Sequence, residues 1–374
     1  MKGVLLKIIG LIVNPIAGMG GRVGLKGTDG DAYLLALKKG AKPVAPRRAL
    51  LFLNSIRRND FRIISAPGIM GEDIIKKSIH SDKLVKIVGE IKYPTTPKDT
   101  CRIARIMVFD ENVDLLVFVG GDGTARDICA SISTSAPVLG VPSGVKMYSA
   151  VFANSPYDAA VILEKFLEDN VEFVLREVLD IDEEAYRRDK LVIKLYCYLK
   201  IPLIKHYIQS SKTIYEGSEE DENKRAIAEY IIENMDPNIP YILGPGSTVK
   251  EINKLLGIPY TLLGVDVIIN NKLIAKDADE RTLLQIISKY GKAKIVVTPI
   301  GGQGFIFGRG NQQISPSIIR KIGRNNILVI STKRKIRDIE YLRVDTGDPF
   351  VDEMLRGYIK VLIDYGRYVV KKVI

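Results

Sequence analysis

An acidic residue stands inside a glycine-rich turn of the sequence, in the stretch FVGGDGTARDI from Phe118 to Ile128. Glycines at 120, 121 and 123 let backbone N–H groups approach an anion closely, and the start of the following helix adds a favourable dipole. Asp122 would repel a bound phosphate unless it removes a proton from an attacking hydroxyl group or helps to hold Mg²⁺ on phosphates. The structural alternative is a strand–turn–helix junction in which Asp122 caps the helix.

The glycine pattern differs from two common nucleotide-binding motifs. The chain has no GxxxxGK[ST] sequence, and its nearest approaches to GxGxxG, which are GMGGRV and GPGSTV, lack the third glycine. Neither a standard P-loop enzyme nor a simple dinucleotide-dependent oxidoreductase is therefore indicated.

Three further loops place glycine beside polar or basic residues. NPIAGMGGR, from Asn14 to Arg22, follows the first predicted strand and should reach the same sheet edge as Asp122. PSGVK brings Lys146 beside that edge. GPGSTVKEI, from Gly244, offers glycines and hydroxyls before a predicted helix, as an anion-binding loop would. For the first and last of these loops, a tight turn or an N-capped helix is an equally good explanation.

The loop TPIGGQGFIFGRGNQQ, after the strand that ends at Thr298, combines five glycines with amides and one arginine. Ordering such a loop is costly, so its polar residues suggest ligand recognition. Phe305 and Phe307 are expected to anchor the loop rather than to stack on a base. The candidate substrate contacts are Gly302, Gln303, Gly304, Arg309 and Asn311.

Alternating strands and helices predict an α/β protein whose N-terminal domain, residues 1–148, is a doubly wound parallel sheet. The apolar run VDLLVFV, which precedes the glycine turn, is typical of a strand covered on both faces. Residues 149–345 are expected to form a C-terminal α+β substrate domain. The remaining 346–374 are expected to form a helix and tail packing back on the N-terminal domain.

The composition limits the function classes without choosing one. Three cysteines, none of them in a C-x-x-C pair, argue against a disulfide framework and favour a reducing, cytoplasmic setting. Two distant histidines disfavour a histidine-based zinc site. No apolar run reaches the about 18 residues of a membrane span. The net charge of +11 suits nucleic acid, an anionic membrane or anionic small substrates.

Three of these motifs together resemble the NAD kinase family. They are GGDGT after an apolar strand, NPIAGMGG after the first strand, and PVLGVPSGVK one strand later. That superfamily also includes the diacylglycerol and sphingosine kinases. TPIGGQGFIFGRGNQQISP and LRVDTGDP are similar to the archaeal and bacterial branch of predicted ATP- or polyphosphate-dependent NAD kinases. The resemblance spans nearly the whole chain, and its GGDGT core is specific for the superfamily rather than for the acceptor.

The resemblance implies phosphoryl transfer from ATP or polyphosphate to the 2′-hydroxyl of NAD, with Mg²⁺ or another divalent cation. It also implies a homo-oligomer that acts on small molecules; the residues themselves lead us to expect no nucleic-acid or membrane partner. Asp122 corresponds to the general base. The family's Asn-Glu pair has no clean match, and the nearest acids are Asp182 and Glu183. Motifs and resemblance together predict these nucleotide- or phosphate-binding residues: Asn14, Gly18, Gly20, Gly21, Arg22, Gly120, Gly121, Gly123, Thr124, Ser143, Gly144, Lys146, Gly244, Gly246, Ser247 and Thr248.

One departure from the family pattern leaves the identity of the phosphoryl acceptor undecided. GPGSTVKEI lies in an α/β context, where the usual NAD kinase has a mostly β domain with a GSTAY element. A kinase of the same scaffold could act on a polyol, a nucleoside or a lipid headgroup, although no amphipathic basic helix supports the lipid. A non-catalytic nucleotide sensor is the alternative from another class, and the intact Asp122 disfavours it. The basic runs lack the interleaved aromatics of a nucleic-acid groove.

Overall fold

The computed structural model describes residues 6–25, 31–145, 147–181, 193–204, 207–209 and 217–374. The chain divides into two compact units. Unit 1 comprises Met1–Met19, Gly27–Asp29 and Lys42–Ser211. Unit 2 comprises Gly20–Lys26, Gly30–Ala41 and Lys212–Ile374.

Unit 1 is built on a five-stranded parallel sheet with the order β3-β2-β1-β4-β5. The order reverses between β1 and β4, and ligands of open α/β sheets bind at such a reversal, beyond the carboxyl ends of the strands. The strands are β1 (Lys7–Val13), β2 (Phe61–Ser65), β3 (Leu84–Ile87), β4 (Leu115–Gly120) and β5 (Val138–Pro142).

Helices cover both faces of this sheet. Its described α-helices are α2 (Ala45–Ser55), α3 (Glu72–Ile75), α4 (Pro97–Arg105), α5 (Asp122–Ile132) and α6 (Pro156–Leu167), while α1 (Asp31–Lys38) belongs to unit 2. Leu115, Val117 and Val119 of β4 pack with α2 and α6, whereas Leu116 and Phe118 pack with α4 and α5. The fully buried β4 confirms the predicted strand with two covered faces, and the layers confirm the doubly wound fold.

Local backbone geometry accounts for the ends of these elements. Thr96 and Asp99 form a capping box at the start of α4. A π-helical turn, Ile106–Asp110, continues α4, and 3₁₀ turns occur at Gly68–Met70 and Ser81–Lys83.

An antiparallel pair of strands, β6 (Glu172–Ile181) and β7 (Ile193–Leu203), also belongs to unit 1. The division of the chain therefore differs from the predicted boundary after residue 148. A disulfide joins Cys129 of α5 to Cys197 of β7. The expectation that the cysteines form no disulfide was wrong, because the packing of α5 on β7 brings together two residues that are 68 positions apart in sequence.

Unit 2 contains a mixed seven-stranded sheet with the order β10-β9-β8-β11-β13-β15-β16. Neighbours among β8, β11, β13 and β15 run parallel, and the remaining pairs are antiparallel. A separate two-stranded sheet pairs β12 with β14. The strands are β8 (Tyr241–Leu243), β9 (Asp266–Ile269), β10 (Lys272–Ala275), β11 (Lys294–Val297), β12 (Phe305–Phe307), β13 (Ile327–Ile330), β14 (Arg343–Val344), β15 (Gly357–Asp364) and β16 (Arg367–Val373).

The described helices of the rest of unit 2 pack on the two faces of its sheet. They are α7 (Ser218–Glu233), α8 (Ser247–Leu255), α9 (Glu280–Tyr290), α10 (Pro316–Ile322), α11 (Lys333–Arg337) and α12 (Pro349–Leu355), with a 3₁₀ turn at Arg324–Asn326. Asn270 and Asn271 turn the β9–β10 hairpin with positive φ values of 49° and 57°, which confirms the predicted turn.

The C-terminal segment differs from the predicted helix and tail. The helix α12 ends at Leu355, Arg356 is extended, and Gly357 has a φ of 103° that a helix does not allow. The chain then forms β15 and β16, and it belongs to unit 2. Within the residues that the structure describes, no helix is both long enough and apolar enough to cross a bilayer.

Candidate active site

The turn between β4 and α5 is tight because three of its positions are glycine. A Cβ on Gly120 would lie 2.4 Å from the Thr124 hydroxyl oxygen, and a Cβ on Gly121 would lie 3.1 Å from the Cα of Gly144. A Cβ on Gly123, in contrast, would meet no atom within 4 Å. Packing therefore requires the first two glycines, whereas Gly123 leaves open space at the start of the helix.

Asp122 is buried at the first position of α5, with 5% of its surface exposed. Its Oδ2 accepts a hydrogen bond from the N–H of Tyr148 at 2.7 Å, and its Oδ1 accepts one from the N–H of Ser149 at 3.1 Å. Burial raises the pKa of Asp122 to about 7, although hydrogen bonds from Ser149 and Tyr148 oppose the rise. A carboxylate with this pKa can exchange a proton near neutral pH.

The loop after β1 approaches the same turn. Asn14 donates a side-chain hydrogen bond to the Thr124 hydroxyl at 2.9 Å, and its backbone N–H donates to the carbonyl of Val119 at 2.9 Å. Gly18 has a φ of 80°, and a Cβ there would lie 1.9 Å from the carbonyl oxygen of Ser143. The predicted meeting of Asn14 and Asp122 at one sheet edge is confirmed.

The loop after β5 supplies a hydroxyl group to this edge. The N–H groups of Ser143 and Gly144 both donate to the carbonyl of Gly120, at 2.9 and 3.2 Å. The Oγ of Ser143 is buried and has no hydrogen-bond partner among the described residues. Because buried hydroxyl groups are rarely left unpaired, this one is suited to bonding a ligand oxygen. Lys146 of the same loop, and the acids Asp182 and Glu183, lie outside the described residues.

The other predicted site residues belong to unit 2. Gly20 and Gly21 lie in its N-terminal segment, where a Cβ on Gly21 would lie 3.0 Å from the Cβ of Gln312. The carbonyl of Arg22 accepts a hydrogen bond from the N–H of Glu280 at 3.2 Å. The second half of the first glycine loop, from Gly20 to Arg22, therefore belongs to unit 2, whereas Asp122 belongs to unit 1.

The GPGST stretch forms the junction of β8 and α8 in unit 2. Gly244 follows β8, and its N–H donates to the carbonyl of Val296 at 2.9 Å. Gly246 precedes α8 with a φ of 111°. Ser247 is exposed and Thr248 is buried at the start of the helix. The predicted strand–turn–helix context of this stretch is confirmed.

The glycine loop after β11 has mostly internal contacts. Arg309 forms a buried ion pair with Asp345 at 2.7 Å, and its guanidinium lies 4.8 Å from the centre of the Phe305 ring. Asn311 donates to the carbonyl of Ile306 at 2.8 Å and accepts from the N–H of Gly308 at 3.1 Å.

The glycines and the two phenylalanines of the same loop have structural roles. A Cβ on Gly304 would lie 2.5 Å from the carbonyl oxygen of Tyr341, and Gly302 also has a positive φ. Gln303 lies between them, and its N–H donates to the carbonyl of Ile300 at 3.2 Å. Phe305 and Phe307 are buried in β12, which confirms that they anchor the loop.

Comparison with known families agrees with this geometry. The profile of the ATP-NAD kinase N-terminal domain matches residues 9–171, and that of the ATP-NAD kinase C-terminal domain matches residues 237–372. The chain belongs to the NAD kinase family. It is a kinase that transfers a phosphoryl group to a hydroxyl group. A search of curated proteins found no match.

Four residues around Asp122 in this member of the NAD kinase family were not singled out by the sequence. Tyr148 and Ser149 hold the Asp122 carboxylate, but they do so through backbone N–H groups that every residue except proline has. Arg126 of α5 forms an ion pair with Asp180 of β6 at 3.0 Å, and the charge of Asp180 adds a small further rise to the pKa of Asp122. Nothing in the spacing of these residues distinguishes them from solvated ones.

The family implies a divalent cation, and the donor groups of the turn are compatible with Mg²⁺. Among the residues that the structure describes, no three His, Cys, Asp or Glu side chains are grouped to hold a metal ion. Mg²⁺ usually keeps several waters and binds through one or two carboxylates together with substrate phosphates. The buried carboxylate of Asp122 in this turn is compatible with a cation that is held by substrate phosphates.

Proposed function

We propose that the protein makes NADP, by transferring a phosphoryl group from ATP or polyphosphate to the 2′-hydroxyl of NAD. The observation that carries the proposal is the buried Asp122, whose raised pKa and position inside the glycine turn suit a general base. The open space beside Gly123 suits the transferred phosphate. The net charge of +11 suits two anionic substrates.

The proposed reaction relies on positioning and electrostatics. Asp122 accepts the proton of the attacking hydroxyl group. The hydroxyl oxygen forms a bond to the phosphorus, and the bond between that phosphorus and the leaving oxygen of the donor breaks. The N-terminal end of α5 and the Ser143 hydroxyl stabilise the charge on the phosphoryl oxygens. Mg²⁺ or another divalent cation on the donor phosphates would supply further charge neutralisation.

The other residues predicted to contact the substrates are also part of this proposal. Lys146 and Arg22 would add positive charge for the nucleotide, and Asp182 or Glu183 would bind the ribose of NAD. Gly302, Gln303 and Gly304 would contact the substrate, while Arg309 and Asn311 support their loop through the bonds described above.

A homo-oligomer in the cytoplasm, without a nucleic-acid or membrane partner, completes the proposal. The family resemblance supports this assignment. The cysteine argument for a cytoplasmic setting, which was the expected absence of disulfides, no longer supports it, because Cys129 is bonded to Cys197.

The test is an assay for NADP with purified protein, Mg²⁺ and NAD, with ATP in one arm and polyphosphate in the other. NADP formation that Asp122→Asn abolishes while ATP binding persists would support the proposal. Asp127→Asn, which removes an acid from the same helix outside the turn, is the matched control.

The other outcomes separate the alternatives. Donor consumption without NADP would point to another hydroxyl compound, such as a polyol, a nucleoside or a lipid headgroup. Nucleotide binding without any turnover would indicate a sensor and would overturn the proposal.

A further inference from the structure

The carboxyl ends of three parallel strands of unit 2 carry hydroxyl groups at one edge of its sheet. These strands, β8, β11 and β13, are neighbours in that order. Thr248 follows β8, Thr298 follows β11, and Thr332 follows β13. We propose that these residues, with Ser247 and Lys335, form a phosphate-binding site that unit 2 carries by itself. The claim concerns unit 2 alone and does not depend on the activity proposed for Asp122.

The start of α8 presents two backbone donors. The N–H groups of Val249 and Lys250 both bond to the carbonyl of Gly246, at 3.1 and 3.0 Å. Among the described residues, none accepts a hydrogen bond from the N–H of Ser247 or Thr248. The helix has no acidic residue in its first turn and no side-chain cap. Its positive end is therefore uncompensated, as an anion site requires.

The independent sign of a ligand is Thr332. Its side chain is fully buried, and its hydroxyl has no hydrogen-bond partner within the described part of the chain. Thr332 lies two residues beyond β13 and is the N-cap of α11, the helix that carries Lys335, yet its side chain makes no capping hydrogen bond there. A buried hydroxyl without a partner is costly unless a bound oxygen satisfies it.

Lys335 brings a positive charge to this edge. Its ammonium donates to the Thr298 hydroxyl at 2.8 Å. The Cγ2 of Thr298 lies 3.0 Å from the position that a Cβ on Gly246 would occupy. Thr298 thus connects the lysine to the start of α8, and Gly246 permits the close approach. Backbone N–H groups, hydroxyls and one ammonium are the donor set that binds a phosphate group.

A buried ion pair holds this donor set in place. Lys250 of α8 has no exposed surface, and its ammonium donates to Asp266 at 2.7 Å and to the carbonyl of Leu243 at 3.1 Å. Because Leu243 is the last residue of β8, these bonds join the first turn of α8 to the strand end. Sites with such support hold their donors in a defined geometry.

The proposed ligand chemistry is a phosphate group, either free or attached to a nucleotide. Isothermal titration with orthophosphate, pyrophosphate and ADP would be carried out on the full chain carrying Gly123→Asp. This substitution places a carboxylate in the open space of the β4–α5 turn, so that phosphate binding at that turn is suppressed. Orthophosphate binding equal to ADP binding would assign a free anion, and tighter ADP binding would assign a nucleotide phosphate; both support the site.

Two substitutions in that background test the assigned residues. Thr332→Val and Lys335→Gln should each weaken the affinity for the tightest of the three ligands about tenfold or more, because the first removes a hydrogen-bond donor and the second removes a positive charge. Lys333→Gln is the matched control, since Lys333 on the same short helix pairs with Asp364. It should leave the affinity unchanged.

Thr332→Val also separates binding from folding. Because the native hydroxyl lacks a protein partner, the valine variant should be at least as resistant to urea as its parent. Resistance that is kept while affinity is lost assigns the hydroxyl to the ligand. No binding in the Gly123→Asp protein, or unchanged affinity in both site variants, would overturn the site whether or not the wild-type protein forms NADP.

Discussion

At the scale of single residues, the pKa of Asp122 sets the pH range in which this carboxylate could act as the proposed general base. Because burial raises this pKa from 3.8 to about 7, the carboxylate is largely protonated in mildly acidic solution. The value of kcat/KM for the acceptor should therefore fall about tenfold per pH unit below about pH 7. Initial rates between about pH 5.5 and about pH 9 measure this profile. A profile that stays flat down to about pH 5.5 would contradict the assignment.

The same shift has a consequence for folding. The pKa of Asp122 is higher in the folded protein than its ordinary value of 3.8, so the folded state binds this proton more tightly than the unfolded state. The carboxyl group therefore stabilises the folded state while it is protonated and loses this contribution when it ionises. Its stabilising contribution is therefore complete below about pH 4 and is lost as the pH rises through about 7. Urea unfolding of the wild type and of Asp122→Asn across this range should show a stability difference that changes with pH. Two parallel pH dependences would exclude a shifted pKa.

Gly18 and Gly123 are both predicted phosphate contacts, but substitution should affect them differently. Gly18→Ala places a Cβ 1.9 Å from a carbonyl oxygen at a φ of 80°, so it should lower the free energy of unfolding by about 1–3 kcal/mol. Gly123→Ala meets open space in a helix, where alanine is favoured over glycine, so stability should be kept. Its ATP affinity should fall nevertheless. Urea unfolding and ATP titration of both variants measure the contrast, and equal stability losses would contradict it.

At the scale of elements, the buried Lys250–Asp266 pair fixes α8 against β8. Lys250→Met would leave the Asp266 carboxylate buried without its cation, so the free energy of unfolding should fall by about 3–5 kcal/mol. Lys254→Met on the same helix removes only an exposed pair with Glu251, so its effect should stay within about 0.5 kcal/mol. Urea unfolding of both variants makes the comparison. A Lys250→Met protein as stable as the wild type would show that the pair does not hold the helix.

At the scale of the whole molecule, the disulfide links α5 to β7. In the unreduced, denatured protein a thiol reagent should label Cys101 alone, and all three cysteines after reduction. Reduction should lower the free energy of unfolding by about 2–4 kcal/mol, because a cross-link over 68 positions restricts the unfolded chain. The Cys129→Ser/Cys197→Ser double variant should not respond to reductant. Labelling of three thiols without reduction would refute the bridge.

Local patterns in the sequence determined most of the unit 1 sheet and the position of its site. The apolar run before Gly120 is typical of a covered strand, and the glycines directly after it favour a turn at the carboxyl edge. The hairpin at Asn270–Asn271 was equally local, because both residues tolerate positive φ. Such features depend on neighbours a few residues apart, which a sequence displays directly.

The tertiary structure alone decided what depends on distant contacts. Asp122 owes its raised pKa to burial in the folded unit, and its carboxylate is held by the backbone N–H of Tyr148, which follows it by 26 positions. The same holds for the pairing of Cys129 with Cys197 and for the unpartnered hydroxyl of Thr332. The helix predicted within residues 346–374 stops at Leu355 because the following residues pair with β13 and β16. Burial and strand pairing depend on residues that are distant in sequence, so a local sequence pattern does not predict them.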